Sequence, residues 1–301
     1  MRTLFPPLFV FAFFLLLLSN PSVSIAAASE GLTIWYSQVV PSLFPSMILT
    51  SFLVSTNLFF ALFSRLPHIS SIPFSRLLPV ISGMICGYPM GAKTCADLYR
   101  IGQLSPDEVG ILNRYVHCPS PMFLIGFVSS VCLPSIRTEH LLPAIYLPIG
   151  LSVLFSWPLL SKTASSSSDK TKQSICFSME LFDEVYNKSL RIIIRIACYL
   201  MFFTILNRLL TQSLPAFSTT ITILGGLLEM TWGIRSLAHL PVPVLTKELI
   251  AVFVLGFGGI STLLQVRDAL GKDLFRIRPY LLHRILHAAS STVIYFFLSY
   301  K

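Results

Sequence analysis

Long apolar runs constrain this chain more than any other feature. They occupy 4–18, 32–63, 121–133, 141–160, 192–210, 219–240 and 282–298. A helix of about 20 apolar residues crosses the roughly 30 Å of bilayer hydrocarbon. Barrel strands would show short alternating segments instead. Charged residues make up 12% of the 301, and mean hydropathy is +0.75. Soluble domains carry about 25% charged residues. So few charges cannot cover a water-facing surface, which excludes an ordinary globular enzyme. So apolar a chain does not stay disordered either. The expectation is an all-α polytopic membrane protein whose first partner is the lipid bilayer.

The net charge of +9 does not point to nucleic acid. The 22 Lys and Arg cluster between apolar runs, as they do in cytoplasmic loops. No basic stretch carries interleaved aromatics beyond the level of a membrane anchor. Cys86, Cys95, Cys118, Cys132, Cys176 and Cys198 form no CxxC pair and read as free thiols. At the N-terminus, Arg2, the run 4–18 and Ala26-Ala27-Ala28 would suit a cleaved signal peptide. A retained signal anchor is favoured, because many spans follow.

Two apolar runs stop short. The run 77–86 ends in Gly87-Tyr88-Pro89-Met90-Gly91-Ala92-Lys93. The run 249–255 ends in Gly256-Phe257-Gly258-Gly259-Ile260-Ser261. Neither is long enough to span. Between them, a Ser-rich linker at 161–174, with Lys162, Lys170 and Lys172, divides the chain. If the basic segments 161–191 and 267–284 both face the cytoplasm, three full crossings cannot lie between them. A run that turns back at Gly256 resolves the conflict. With Arg2, Arg65, Arg76, Lys93, Arg100 and Arg114 inside, 77–92 must likewise dip or break. Gly87-Tyr88 also matches Gly256-Phe257 at an offset of 169 residues, and Gly102 matches Gly271. Paired broken helices in corresponding halves point to a transporter binding site.

The architecture expected is about six or seven spans plus two broken or re-entrant helices in a two-fold internal repeat. Parallel and inverted repeats both stay open. Residues 1–160 form an N-terminal membrane half and 191–301 a C-terminal one. Residues 161–190 form a polar cytoplasmic linker and an interfacial helix, or merely the first turns of the following span.

Breaks free backbone groups at membrane depth, and protein, water or ligand must satisfy them. The candidate substrate-binding residues are therefore Gly87, Tyr88, Pro89, Gly91, Lys93 and Asp97 at the first break. At the second they are Gly256, Phe257, Gly258, Gly259, Ser261 and Gln265. Glu229, an ionisable group inside the run 219–240, joins them as a proton carrier or solute contact. The two breaks are expected side by side, lining one polar cavity. Each feature has a plainer reading. Small residues also serve close helix packing. Lys93 and Asp97 suit an i,i+4 salt bridge. Glu229 could partner Arg235 or sit at a helix end.

His283 and His287 have metal-binding spacing but no evident third ligand, so they read as a basic helix end at the interface. His117-Cys118, flanked by Pro119 and Pro121, reads as a loop entering a span rather than a thiol–imidazole nucleophile. No P-loop, GxSxG or HExxH occurs, so no enzyme, cofactor or metal is expected. A small polar solute is the expected ligand. Proton or sodium coupling and a homo-oligomer are left open.

Several motifs carry a family resemblance. They are the Trp35-containing 32–43 segment, the SGxxxGYPMGAK run at 82–93 with Asp97-Leu98, Glu229-Met230-Thr231, the LGFGGISxxxQ run at 255–265, and the RPYLLHRILH run at 278–287. In these the chain resembles the sporulation integral membrane proteins of the YlbJ type, within the wider nucleoside-recognition or Gate group. The resemblance implies a multi-pass protein of the bacterial cell membrane associated with endospore formation, with a Gate-like segment in each half. It does not fix the ligand. Where the family usually shows an Asn-Asn-Ser-Gly-Pro type of segment, this chain has His117-Cys118-Pro119-Ser120-Pro121, which puts ligand preference in doubt.

Overall fold

The computed structural model describes residues 5–56, 74–162 and 178–300. Most of the expected linker, with Lys170 and Lys172, lies outside the described residues, as do Arg65 and Cys176. Among the described residues the chain is all-helical, with no strand.

Helix α1 (Phe5–Ser19) bends by 106° into α2 (Pro21–Ile34). A π turn at Trp35–Val39 leads on to α3 (Val40–Ser55). Pro41 and Pro45 each remove a backbone donor. The wider turn just ahead of them lets the helix continue rather than end. This arm runs antiparallel to α9 (Met179–Ser213). Trp35 Nε1 donates to the Ile193 carbonyl at 2.8 Å, and Phe44 meets Tyr186 edge-on at 5.9 Å. Gly31 has no side chain, so the Met201 backbone can approach closely. The polar start of α9 is capped by Ser178, whose hydroxyl accepts from Leu181 N at 3.1 Å. The helix then runs unbroken, so the amphipathic segment forms its first turns and not a separate interfacial helix.

Two helical hairpins follow from short helices that fold back. The first joins α4 (Phe74–Cys86) to α5 (Met90–Arg100) through a tip at 87–89. The second joins α10 (Ser218–Leu228) to α11 (Met230–Leu237) through Glu229, whose backbone is extended. Glycines pack the arms together. A Cβ on Gly91 would lie 3.1 Å from Gly83 Cα, and one on Gly233 would lie 3.0 Å from Gly226 N. In one continuous helix such residues would be about 10–12 Å apart.

The remaining elements are α6 (Pro106–Leu112), a π-type helix α7 (Phe123–Cys132), α8 (Thr138–Lys162), α12 (Val244–Phe257), α13 (Gly259–Leu270) and α14 (Ile277–Ser299). Helix α6 opens with a capping box between Ser105 and Glu108. Glu108 also pairs with the buried Arg76 and so ties α6 to α4.

Among the described residues, four helices are long and apolar enough to span, or five if the bent α1–α3 arm counts as one. This is fewer than six or seven, because the hairpin arms turn back instead of crossing. The sequence reading also placed the returning segment wrongly. Residues 244–270 run on past Gly258 as one candidate span of 27 residues. The run 219–240, read as a span, is the one that turns back. Charge parity survives the exchange: α9 crosses, α10–α11 returns, and α12–α13 crosses back. The basic segments on either side then share the cytoplasmic face. An impermeant thiol reagent should therefore label Lys272→Cys only from the cytoplasmic side and Pro241→Cys only from the other, in a cysteine-free background. Labelling of both from one side would refute this topology.

Candidate functional site

The hairpin tips and helix breaks converge. The first break is the irregular stretch 113–120, between α6 and α7. The second is Gly258, left-handed at φ +87°, between α12 and α13. A Cβ on Gly87, in the first tip, would lie 2.7 Å from Ser120 N. One on Gly258 would lie 2.7 Å from the Tyr88 hydroxyl oxygen, and one on Gly259 would lie 3.2 Å from the Leu228 carbonyl, at the second tip. The two glycine-rich segments therefore lie side by side, joined through Tyr88.

Side chains satisfy the carbonyls that these breaks release. Arg284, on α14, donates through Nε to the Phe257 carbonyl at 2.9 Å. Its other nitrogens reach the carbonyls of Gly256 and His117 and the Tyr88 hydroxyl. His287 sits between the carbonyls of Gly256 and Ile145, with Nδ1 and Nε2 at 3.0 and 2.8 Å, and its one N–H serves one of them. Thr262 Oγ1 donates to Gly258 O at 2.6 Å, and the Tyr146 hydroxyl donates to Pro119 O at 2.8 Å.

Two neighbouring cavities open here. The inner one, of about 40 Å³, is lined by Tyr88, Ser120, Glu229, Thr231, Thr262 and Gln265, among apolar neighbours. The outer one is an open vestibule of about 280 Å³. Pro89, Lys93, Asp97 and Arg100 line it from α5 and its approach, and Lys188, Arg191 and Arg195 from α9. Gln265 and Ile196 line both cavities. The basic side chains of the vestibule are Lys93, Arg100, Lys188, Arg191 and Arg195.

The expected site residues divide accordingly. Tyr88, Glu229 and Gln265 face the inner cavity; Pro89, Lys93, Asp97 and Gln265 face the vestibule. Gly87, Gly91, Gly256, Phe257, Gly258, Gly259 and Ser261 line neither. The Gly91 face meets Val116, with a Cβ placed 2.6 Å from Val116 Cβ, and the Gly256 face meets Ala288. These glycines serve close approach. Lys93 contacts Asp97 at 3.3 Å and donates to Ser51 Oγ at 2.6 Å, and Asp97 also pairs with Arg100. Glu229 is not paired with Arg235, which lies 4.0 Å from Glu30. Its carboxylate caps α11, accepting from Thr231 N at 3.1 Å and Trp232 N at 2.6 Å.

One plainer reading holds and one fails. His117-Cys118-Pro119-Ser120 is an irregular, buried stretch that leads into the apolar helix α7. His117 Nε2 lies 2.7 Å from Asn113 Oδ1, and Cys118 Sγ donates to Gly83 O. His287 and Arg284 are buried and not interfacial. The sequence reading missed Arg284, Ser120 and Thr231 as site residues, but placed Thr262 beside Ser261 and Gln265 after the second break. A signal for Arg284 existed: Tyr280, Arg284, His287, Ala288 and Ser291 share one face of α14 and are all buried.

No family model and no solved structure matches the chain. One relative, named "Sporulation integral membrane protein YlbJ", from Bacillus subtilis (strain 168), is 24% identical over 336 aligned positions. The alignment covers 95% of this chain and 81% of that protein. Together with the apolar helices, this similarity supports a YlbJ-type assignment and a multi-pass membrane location for the chain.

Proposed function

We propose that the chain is a carrier-like protein of the bacterial cell membrane that binds a small polar solute where the two hairpin tips meet the two helix breaks. One observation carries this reading. The inner cavity, with polar side chains from both tips, from the stretch 113–120 and from α13, shares Gln265 with a vestibule open to one side. That arrangement suits a carrier open on that side and closed beyond the site. The hairpins α4–α5 and α10–α11 would be repeat partners, as would the breaks at 113–120 and 256–259. This replaces the pairing of Gly87 with Gly256, which equates a hairpin tip with an in-line kink. The two membrane halves, 1–160 and 191–301, would then be related units, with 161–190 between them. No enzymatic step belongs to this reading. The relative's name supports a role in sporulation.

The size of the inner cavity favours a second reading. About 40 Å³ holds two or three waters and no larger solute without movement. On that view the junction is a packed core, and the protein is a membrane scaffold for spore-envelope assembly.

Uptake by membrane vesicles separates the two. Vesicles carrying the chain are loaded from a mixture of polar metabolites and compared with empty-vector vesicles. A carrier accumulates or releases at least one solute, and Gln265→Leu lowers that flux at least tenfold without lowering protein abundance. No flux beyond the empty-vector control, together with a sporulation defect on deletion, supports the scaffold.

A further inference from the structure

Arg284 is 2% exposed. A buried charge in a membrane protein needs compensating partners. Yet no carboxylate of the described residues lies within ion-pair distance of it. Its hydrogen-bond partners are all neutral oxygens: the carbonyls of Gly256, Phe257 and His117, and the Tyr88 hydroxyl. The guanidinium also lies 5.3 Å from the centre of the Tyr88 ring, an added cation–π contact.

The location explains the choice. Gly256 and Phe257 end α12, so their carbonyls have lost their helical donors and sit at the negative end of the helix dipole. His117 supplies its carbonyl from the other break, and Tyr88 comes from the first hairpin tip. Neutral oxygens gathered at the C-terminal end of a half-helix are what a broken-helix carrier offers a sodium ion.

We infer that the two breaks build a cation site between them, and that the chain fills it permanently with the Arg284 guanidinium. The breaks are joined by a tethered cation, so their junction needs no free metal ion. Arginine fits such a position because it keeps its charge and its planar fork addresses several oxygens at once. The inference stands apart from the carrier reading, because stability rather than flux tests it. If the chain does transport, sodium is not bound at this junction.

The test uses purified full-length protein, melted in NaCl, KCl and choline chloride at equal ionic strength. Wild type should melt at the same temperature in all three. Arg284→Ala should melt about 5 °C lower or more. Millimolar guanidinium chloride, well below denaturing levels, should recover part of that loss in the variant and none in wild type. Arg284→Lys, which keeps the charge, should be more stable than Arg284→Gln, which keeps donors alone. A saturable sodium-specific rise in the wild-type melting temperature overturns the inference, even if no variant folds. So does an Arg284→Ala variant as stable as wild type, one that gains nothing from any small cation, or a Gln variant equal to Lys.

Discussion

Gly91→Ala should yield no recoverable folded protein. The added methyl would sit 2.6 Å from Val116 Cβ and 3.1 Å from Gly83 Cα, and would strike the Val116 carbonyl. These are backbone and branched atoms with no free end to swing aside. Overpacking of a well-filled core costs about 1–3 kcal/mol or more. Here the collision would separate the arms of the first hairpin and push both away from the first break. Gly110→Ala is the matched control, since nothing lies within 4 Å of a Cβ there. The measurement is monodisperse yield and melting temperature in detergent. If Gly91→Ala melts within about 2 °C of the control, less than 1 kcal/mol has been lost and the close packing of the hairpin arms is wrong. The same logic changes the meaning of bulky substitutions at Gly91 or Gly258. They would report on packing, not on a blocked cavity.

Glu229→Gln should separate fold from function. The carboxylate caps α11 through Thr231 N and Trp232 N, and it also faces the inner cavity. Losing an N-cap acceptor altogether costs about 0.5–2 kcal/mol. Glutamine keeps one acceptor oxygen and the same length, so the stability loss should be about 1 kcal/mol or less, with membrane abundance near wild type. The ability to take up and release a proton is lost entirely. If Glu229 carries a proton or contacts solute, flux or the sporulation phenotype should fall at least tenfold. Disappearance of the variant from the membrane would make the cap its main role. Full activity would remove Glu229 from the site.

Apolar run length was enough to locate α8, α9 and α14, and glycine clustering located both glycine-rich segments. What stayed hidden was the direction the chain takes after each break. Gly258 and Gly259 are both left-handed, at φ +87° and +85°, and the chain runs on. At Glu229 one extended residue reverses it. The glycines that permit reversal, Gly226 and Gly233, lie on either side of the acid, one in each arm. That pattern resembles ordinary small-residue packing until the arms are seen to touch. Arg284 was hidden for another reason. Beside two histidines in a basic stretch, it looks like an interface residue. Only the fold shows that its face of α14 carries Ala288 and Ser291 against α12 and α8.

The glycine contacts inside each hairpin also bear on how the inner cavity could enlarge. Backbone meets backbone at Gly83–Gly91 and Gly226–Gly233, and the side chains between the arms hold them together: Ser82 and Thr94 hydrogen-bond at 2.9 Å in the first hairpin, and the Trp232 ring packs on Gly225 in the second. One arm therefore cannot slide or tilt while the other stays in place. Any widening at Tyr88, Glu229 and Gln265 must carry a whole hairpin as a rigid lever, with its hinges where the arms join the rest of the chain and not at the tip.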